Sequence, residues 1–149
     1  MKIVAQRVTK ASVTVNNHTI SRIGVGLVVF LGIAKGDSTA DSDYIFNKIT
    51  TLRLFPDQSG RFDKSITDIN GDLLLVSQFT LLADCEKGRR PSFDQAATPS
   101  EARPLYDMIV SAWRSRFPRL HTGEFGADMS VSLTNMGPVT MILDSRHRP

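Results

Sequence analysis

Residues 27–33 read Leu-Val-Val-Phe-Leu-Gly-Ile, the centre of an apolar stretch that runs from Gly24 to Ala34. The stretch is far short of the roughly 20 residues that cross a bilayer as a helix. It is also too continuous for a strand with one wet face, which alternates polar and apolar side chains. It predicts a central strand covered on both sides, so the rest of the chain must supply two layers of cover. A chain of 149 residues with 41% apolar and 22% charged side chains can do so. At that length about two-thirds of the unfolded surface can be buried without disulfides or metals. We expect a single domain over 1–149, with 144–149 as a short frayed tail.

Around this run the pattern is mixed. Val13 and Val15 alternate with Ser12 and Thr14 in a Val- and Thr-rich segment, 2–15, that predicts a half-buried strand. Asn16-Asn17 signals a turn, His18–Ile23 a returning strand, and Gly24 and Gly26 a second turn. Three strands joined this closely suggest an antiparallel meander. Asp37-Ser38-Thr39 offers N-cap residues for a helix whose buried face carries Ile45, Phe46, Ile49 and Leu52. Leu73–Val76 forms the core of a strand over 72–77, and 83–98 is polar loop. Thr98-Pro99-Ser100-Glu101 resembles a second helix start, with Leu105, Ile109 and Trp113 on its apolar side. Pro104 is awkward there, so the regular helix either begins near it or bends. Alternation over 127–134 and the apolar residues 139–143 predict two last strands, separated by a turn at Asn135-Met136-Gly137-Pro138. The expected class is α/β, mostly antiparallel, with two principal helices.

Much chemistry is disfavoured by residue type alone. With Cys85 the one cysteine, neither an intrachain disulfide nor a cysteine metal cluster can form, which fits a reducing compartment. The start, Met1 to Arg7, turns polar too soon for a secretory signal, and a cytoplasmic location is expected. His18, His121 and His147 show no ligand spacing, and neither a GxSxG elbow nor a nucleotide-binding glycine loop occurs. Neither a metal nor a cofactor is expected. The charge of +3 comes from 18 basic and 15 acidic side chains. Basic residues cluster at Lys87-Gly88-Arg89-Arg90, from Arg114 to Arg119, and at Arg146 and Arg148. For any one cluster a solvated surface is the better reading; three together suit a polyanionic partner.

Two segments carry the remaining signal. Ser77-Gln78-Phe79-Thr80-Leu81 places three hydrogen-bonding side chains directly after an apolar strand. Periodicity alone favours an edge strand with these groups in water; the alternative is a pocket wall that meets a polar substrate. Asn135-Met136-Gly137-Pro138-Val139-Thr140 holds a Gly-Pro pair, which in most chains marks a β-turn. The alternative is a rigid backbone element whose carbonyls face a ligand.

Together the two segments resemble the signature motifs of D-aminoacyl-tRNA deacylases. Gln6-Arg7-Val8, Ala11-Ser12-Val13, Arg90-Pro91-Ser92-Phe93, Leu105-Tyr106-Asp107 and Ala127-Asp128-Met129 are similar to that family in the same order, covering the chain to about Leu143. The resemblance implies a barrel-like deacylase fold and a homodimer acting on aminoacyl-tRNA. It implies hydrolysis of D-aminoacyl esters, and of glycine mischarged on alanine tRNA, as chiral proofreading in translation. Gly137-Pro138 would be cis, would enter the partner subunit's site, and would reject L-amino acids by collision. Catalysis would use the tRNA 2′-hydroxyl, with Gln78, Ser77 and the backbone at Phe79 and Thr80 orienting the ester. Arg7 would brace the Gly-Pro element, Met129 would adjoin the substrate, and Lys87, Arg89 and Arg90 would hold tRNA phosphates. Two other readings compete. One is a nucleic-acid-binding protein without enzymatic use of the fold, which in this family usually accompanies a longer C-terminal extension than the few residues here. The other is a hydrolase of small esters with Thr80 or Ser77 as nucleophile.

Overall fold

The computed structural model describes residues 1–147; Arg148 and Pro149, the end of the expected tail, lie outside the described residues. Asn16 and Asn17 hold φ of 49° and 63°, the backbone of a two-residue hairpin turn. The turn joins β1 (Lys2–Val15) to β2 (His18–Ile23), paired antiparallel from Val15↔His18 to Ala11↔Ile23. After Gly24 and Val25, β3 (Gly26–Gly32) pairs antiparallel with the earlier half of β1, from Val8↔Gly26 to Lys2↔Gly32. The predicted meander is therefore corrected: β2 and β3 lie end to end along one edge of β1. Length explains it. At 14 residues β1 is far longer than the six of β2, and the backbone groups β2 leaves open need partners.

Helix α1 (Thr39–Thr51) starts at Ser38, where Ser38 and Asp41 form a reciprocal capping box. A small hairpin follows, β4 (Phe55–Pro56) with β5 (Phe62–Lys64). β6 (Asp72–Ser77) then enters parallel to β3, from Gly26↔Asp72 to Leu31↔Ser77. Helix α2 (Pro99–Arg116) and β7 (Leu120–Thr122) repeat the move, with β7 parallel to β6. Parallel neighbours need such helical crossovers. The sheet is thus mixed rather than mostly antiparallel. Pro99 takes the first helical position, where a missing N–H costs nothing, and Pro104 lies inside the helix. The helix therefore begins upstream of Pro104.

One strand, β8 (Ser130–Asp144), occupies the place of the two last strands expected, running antiparallel along the other edge of β1. Of the expected frayed tail, Ser145 is buried; its hydroxyl accepts from the Met1 ammonium at 2.9 Å and donates to Asp41 at 2.8 Å.

The apolar run is covered on both faces, as its continuity predicted. Leu27, Val29 and Leu31 join Leu73 and Leu75 in a core beneath the two helices, while Val28 joins Leu74 and Val76 in a second core with Val8 and Val13. β2 also approaches β6 and β7, which brings the ends of the sheet together as a barrel-like layer.

Trp113 fastens the helices to each other. It is fully buried, its ring lies 5.3 Å from that of Phe46, and its Nε1–H donates to Ser42 Oγ at 2.9 Å. Replacing Ser42 with Ala leaves that indole N–H buried without an acceptor. The expected cost is about 1–3 kcal/mol, read as a lower urea midpoint at unchanged slope; an unchanged midpoint would deny the bond its structural weight.

Candidate functional site

Three parallel strands point their C-terminal ends the same way, and a cavity of about 680 Å³ opens there. This is where ligands bind in parallel sheets, because successive strands send their loops apart. Leu31, Ile33 and Val76 form its base. One wall is the segment before α2, pinned to the end of β3 by Ala97 N–H on the Ile33 carbonyl and Lys35 N–H on the Gln95 carbonyl, both 3.0 Å. The opposite wall is the loop Phe125–Met129 with Val131. Leu31 is in register with Ile3, and Val131 with Val13. Ten residues of straight strand would separate these levels by about 33 Å, so β1 must curl for both to reach one cavity.

Ser77, Gln78 and Phe79 line the mouth. Of the two readings of this segment, the edge strand is not what forms. β6 ends at Ser77, Gln78 N–H bonds the Leu31 carbonyl at 2.7 Å, and Phe79–Leu82 make a 3-10 turn. The N–H groups of Phe79 and Thr80 head that turn, where helical geometry offers them no internal acceptor. Thr80 is exposed and stands off the cavity lining; its hydroxyl accepts from Gln78 Nε2 at 2.5 Å. An amide donor does not activate a hydroxyl as nucleophile.

Phe79 packs edge-on against Phe93, centroids 5.0 Å apart, and so ties the mouth to the basic loop. Asp84 and Ser92 close that loop by exchanging backbone hydrogen bonds of 2.8 and 2.9 Å, leaving Lys87, Arg89 and Arg90 exposed at its tip. Among the described residues no ion pair engages these three. The other basic clusters are partly spoken for. Arg116 pairs with Asp43 over the Phe46 ring, Arg119 pairs with Asp72, and Arg146 reaches Asp37 and the Lys35 carbonyl.

The second predicted segment lies elsewhere on the chain. Gln6 is in register with Thr140 and Val8 with Asn135, so a two-residue step on β1 faces a five-residue step on β8. The surplus, Met136 to Val139, bulges from the strand instead of turning the chain back, which corrects the expected turn. The Gly137–Pro138 peptide is cis, and both residues are exposed. Gly137 has φ 136°, and a Cβ there would stand 2.8 Å from Val139 Cγ2 and 3.0 Å from Arg7 Nη2, so only glycine fits.

Arg7 lies opposite the bulge. It is buried, and donates from Nε to the Met136 carbonyl at 2.9 Å and from Nη1 to the Leu54 carbonyl at 2.6 Å, with the Phe62 ring 5.3 Å from its guanidinium carbon. Asn135, to which sequence reasoning gave no separate role, clips the bulge from below. Its Oδ1 accepts from Val139 N–H at 2.7 Å, and its Nδ2 donates to the Val139 carbonyl at 3.2 Å and Thr140 Oγ1 at 3.1 Å. Neither Gly137 nor Pro138 lines the cavity. Arg7 is in register with Leu27, at the start of β3, whereas the cavity opens from Leu31 onward; that is about 13 Å along the strand.

Among the described residues no histidine lines the cavity; its carboxylates are Asp94 and Asp128. His121 sits in register with Leu74 and approaches Asp72 at 3.7 Å, at the far end of β6. Tyr106 lies behind Phe125, rings 5.3 Å apart; burial, with Asp107 nearby, pushes its hydroxyl up to about 12, so it stays neutral. Among the described residues no three His, Cys, Asp or Glu side chains group as a metal site, and no helix is long and apolar enough to cross a membrane. Lys35, Asp94, Phe93, Ala102 and Phe125 line the cavity and were missed in sequence. Their spacing along the chain gave no periodic signal, although Phe93 stood in a quoted stretch.

A family profile described as D-Tyr-tRNA(Tyr) deacylase matches residues 4–144. A protein of Dehalococcoides mccartyi named D-aminoacyl-tRNA deacylase is 51% identical over 99% of this chain and 97% of its own length. One of the same name from Syntrophus aciditrophicus is 49% identical over 98% of each. A solved structure described as a c-Myc DNA unwinding element binding protein superposes with a TM-score of 0.91 at 41% identity, covering 97% of this chain and 98% of that one. Another, a probable eukaryotic D-amino acid tRNA deacylase, shares the fold at a TM-score of 0.83 and 17% identity, over 95% of this chain and 97% of that one.

Replacing Asn135 with Ala removes the clip across the bulge. The Val139 amide, bonded at 2.7 Å to Asn135, should then lose at least about tenfold of its hydrogen-exchange protection, corresponding to a local loss of about 1.4 kcal/mol. Unchanged protection there would mean that Arg7 alone holds the bulge.

Proposed function

The chain belongs to the D-Tyr-tRNA(Tyr) deacylase family and is a hydrolase of the D-aminoacyl-tRNA ester bond; from that premise we propose that its site is completed by a second copy of the chain. The observation that carries this is the separation of the two motifs. The cavity mouth has Ser77, Gln78 and Phe79, but Gly137 and Pro138 of the same chain stand outside it, exposed on a braced bulge. The free edge of β8 supports the same reading. β8 pairs only with β1 among the described strands, and Ile142 on it is 70% exposed. An open edge with an apolar side chain invites a partner, and a twofold dimer would place each bulge at the other subunit's cavity.

In this reading the substrate's ester lies at the mouth. Gln78, Ser77 and the N–H groups of Phe79 and Thr80 orient it and receive the negative charge that develops on its carbonyl oxygen. No histidine lines the cavity among the described residues, and in this reading the tRNA's terminal 2′-hydroxyl, adjacent to the ester, assists the attacking water. Water adds to the acyl carbon, the ribose oxygen leaves with a proton, and free amino acid and tRNA are released. The carbonyls at Gly137–Pro138 of the partner accept from the α-ammonium, a pure donor. With amino and ester groups both fixed, an L side chain points into the bulge and a D side chain points away. Glycine has no side chain to collide, so glycine mischarged on alanine tRNA is also a substrate. Rejecting the L form by ten-thousand-fold requires about 5.4 kcal/mol, within reach of a collision with a bulge held by Arg7 and Asn135. Met129 forms part of the substrate wall. Lys87, Arg89 and Arg90 are the candidate phosphate contacts, since theirs is the cluster in which no member has an ion pair among the described residues. The enzyme acts in the cytoplasm, where its substrate is made.

The decisive assay is hydrolysis of D-Tyr-tRNA beside L-Tyr-tRNA, repeated on D-Tyr-tRNA ending in 2′-deoxyadenosine. Rapid loss of the D ester alone, abolished without the 2′-hydroxyl, is expected. Equal cleavage of D and L esters would remove the bulge as selector. Turnover without the 2′-hydroxyl would favour a nucleophile at Thr80 or Ser77. If neither ester is cleaved, a binding role like that named for the 41%-identical structure becomes the better reading.

The shared site has its own test. A variant of Gly137 and a variant of Gln78 should each be inactive alone. Refolded together in equal amounts, they should regain about a quarter of wild-type activity, because half of the twofold dimers then carry one intact site of two. No recovery from well-folded mixtures would place both motifs in one chain's site.

A further inference from the structure

Gly123 is the first residue beyond β7, and its N–H still bonds the Leu75 carbonyl of β6 at 2.9 Å. Its position is therefore set by the sheet. From there the chain leaves the sheet, turns at Gly126, and comes back so that the Met129 side chain lies over Gly123. The Met129 sulfur accepts from the Glu124 N–H at 3.4 Å. The loop is thus closed on itself by the thioether and by Ala127 N–H on the Glu124 carbonyl at 3.3 Å, and its residues from Phe125 to Met129 form a wall of the cavity. A Cβ at Gly123 would stand 2.6 Å from Met129 Sδ, with nothing else closer than 3.7 Å. Gly123 cannot give way, because the ladder bond to β6 holds it. The sulfur can, because methionine is unbranched and rotates freely.

We infer that Gly123 is a positioning residue for the deacylation: by lacking a side chain it seats the Met129 sulfur against the Glu124 N–H and so sets the width of the substrate cavity. The inference rests on the reading of this cavity as the substrate site. Any side chain at Gly123 displaces the thioether, breaks its contact with Glu124, and moves the unbranched Met129 side chain of that wall. The consequence falls on substrate fit more than on folding, since the group displaced is a side chain partly exposed at a cavity and not a packed backbone.

The test is a double-mutant cycle on D-Tyr-tRNA hydrolysis with Gly123→Ala and Met129→Ala, with thermal unfolding of each variant alongside. Gly123→Ala should raise KM by about tenfold with kcat changed less, the signature of altered ground-state fit. In the Met129→Ala background the same substitution should have no further effect, because the clashing atom is gone. An equal effect of Gly123→Ala in both backgrounds, or none in the wild type, overturns the inference. So does unfolding by Gly123→Ala in both backgrounds, whereas unfolding that Met129→Ala rescues supports the contact. The wider reading fails separately: if Met129→Ala alone leaves both KM and kcat unchanged, that wall does not meet the substrate, and the cavity assignment falls together with this inference.

Discussion

The buried guanidinium of Arg7 is the point on which the two halves of this architecture meet. β1 and β8 cannot remain in register there, because four residues of β8, Met136 to Val139, face Arg7 alone. A bulge of that size exposes carbonyls that the ladder no longer satisfies, and a buried carbonyl without a donor costs as much as a lost hydrogen bond. Arg7 supplies the donors. One nitrogen reaches the Met136 carbonyl and another the Leu54 carbonyl at the end of the α1 connection. No carboxylate pairs with it among the described ion pairs, so its charge is held by carbonyl dipoles and the face of Phe62. Lysine could not do the same, since a single ammonium cannot present a planar fork to two acceptors on different elements. The bulge is consequently a rigid projection and not a flexible loop.

Two continuous apolar segments, Leu27–Ile33 and Leu73–Val76, with a helix between them were visible in the sequence. That pattern is the signature of parallel strands joined by a crossover helix. The antiparallel expectation came from the opening residues, where the Asn16-Asn17 turn is local and strong. It was right for β1 with β2 and wrong in setting β3 beside β2, since β3 pairs antiparallel with β1 instead; strand order depends on contacts distant in sequence. Both helices were legible for the opposite reason: capping residues and the spacing of Ile45, Ile49, Ile109 and Trp113 are local signals. Pro104 misled only over where α2 begins, since the capping box at Thr98 and Glu101 fixes the start five residues earlier.

The site shows the same division. Ser77–Thr80 and Asn135–Thr140 were found as short motifs, and the structure gives each a distinct local form: a strand end running into a 3-10 turn, and a bulge. Neither form follows from periodicity. The bulge exists because β8 continues on both sides of it, which a Gly-Pro pair read as a turn conceals. The walls of the cavity were not legible. Phe93, Ala102 and Phe125 come together from a loop, a helix and another loop, and their only common property in the sequence is to be apolar.

Placement of the cavity explains why the chain need not carry a catalytic histidine near it. Parallel strands β3, β6 and β7 end at the same level, so their outgoing backbone supplies donors and acceptors already fixed by the sheet: Gln78 N–H on Leu31, Ala97 N–H on Ile33, Gly123 N–H on Leu75. These bonds hold the mouth and both walls in place around the cavity, so groups beside them keep their positions with little reorganisation. Under the proposed mechanism, in which the substrate's own hydroxyl lies beside the ester, the protein is asked chiefly for position. The investment visible here is of that kind, in a capped helix start at one wall, a thioether closing the other, and an arginine and an asparagine holding the projection. Steric rejection of one enantiomer needs stiffness at the colliding surface more than it needs any particular side chain there. In the proposed reading, the backbone at Gly137, held by Arg7 and Asn135 and exposed at the surface, meets that need.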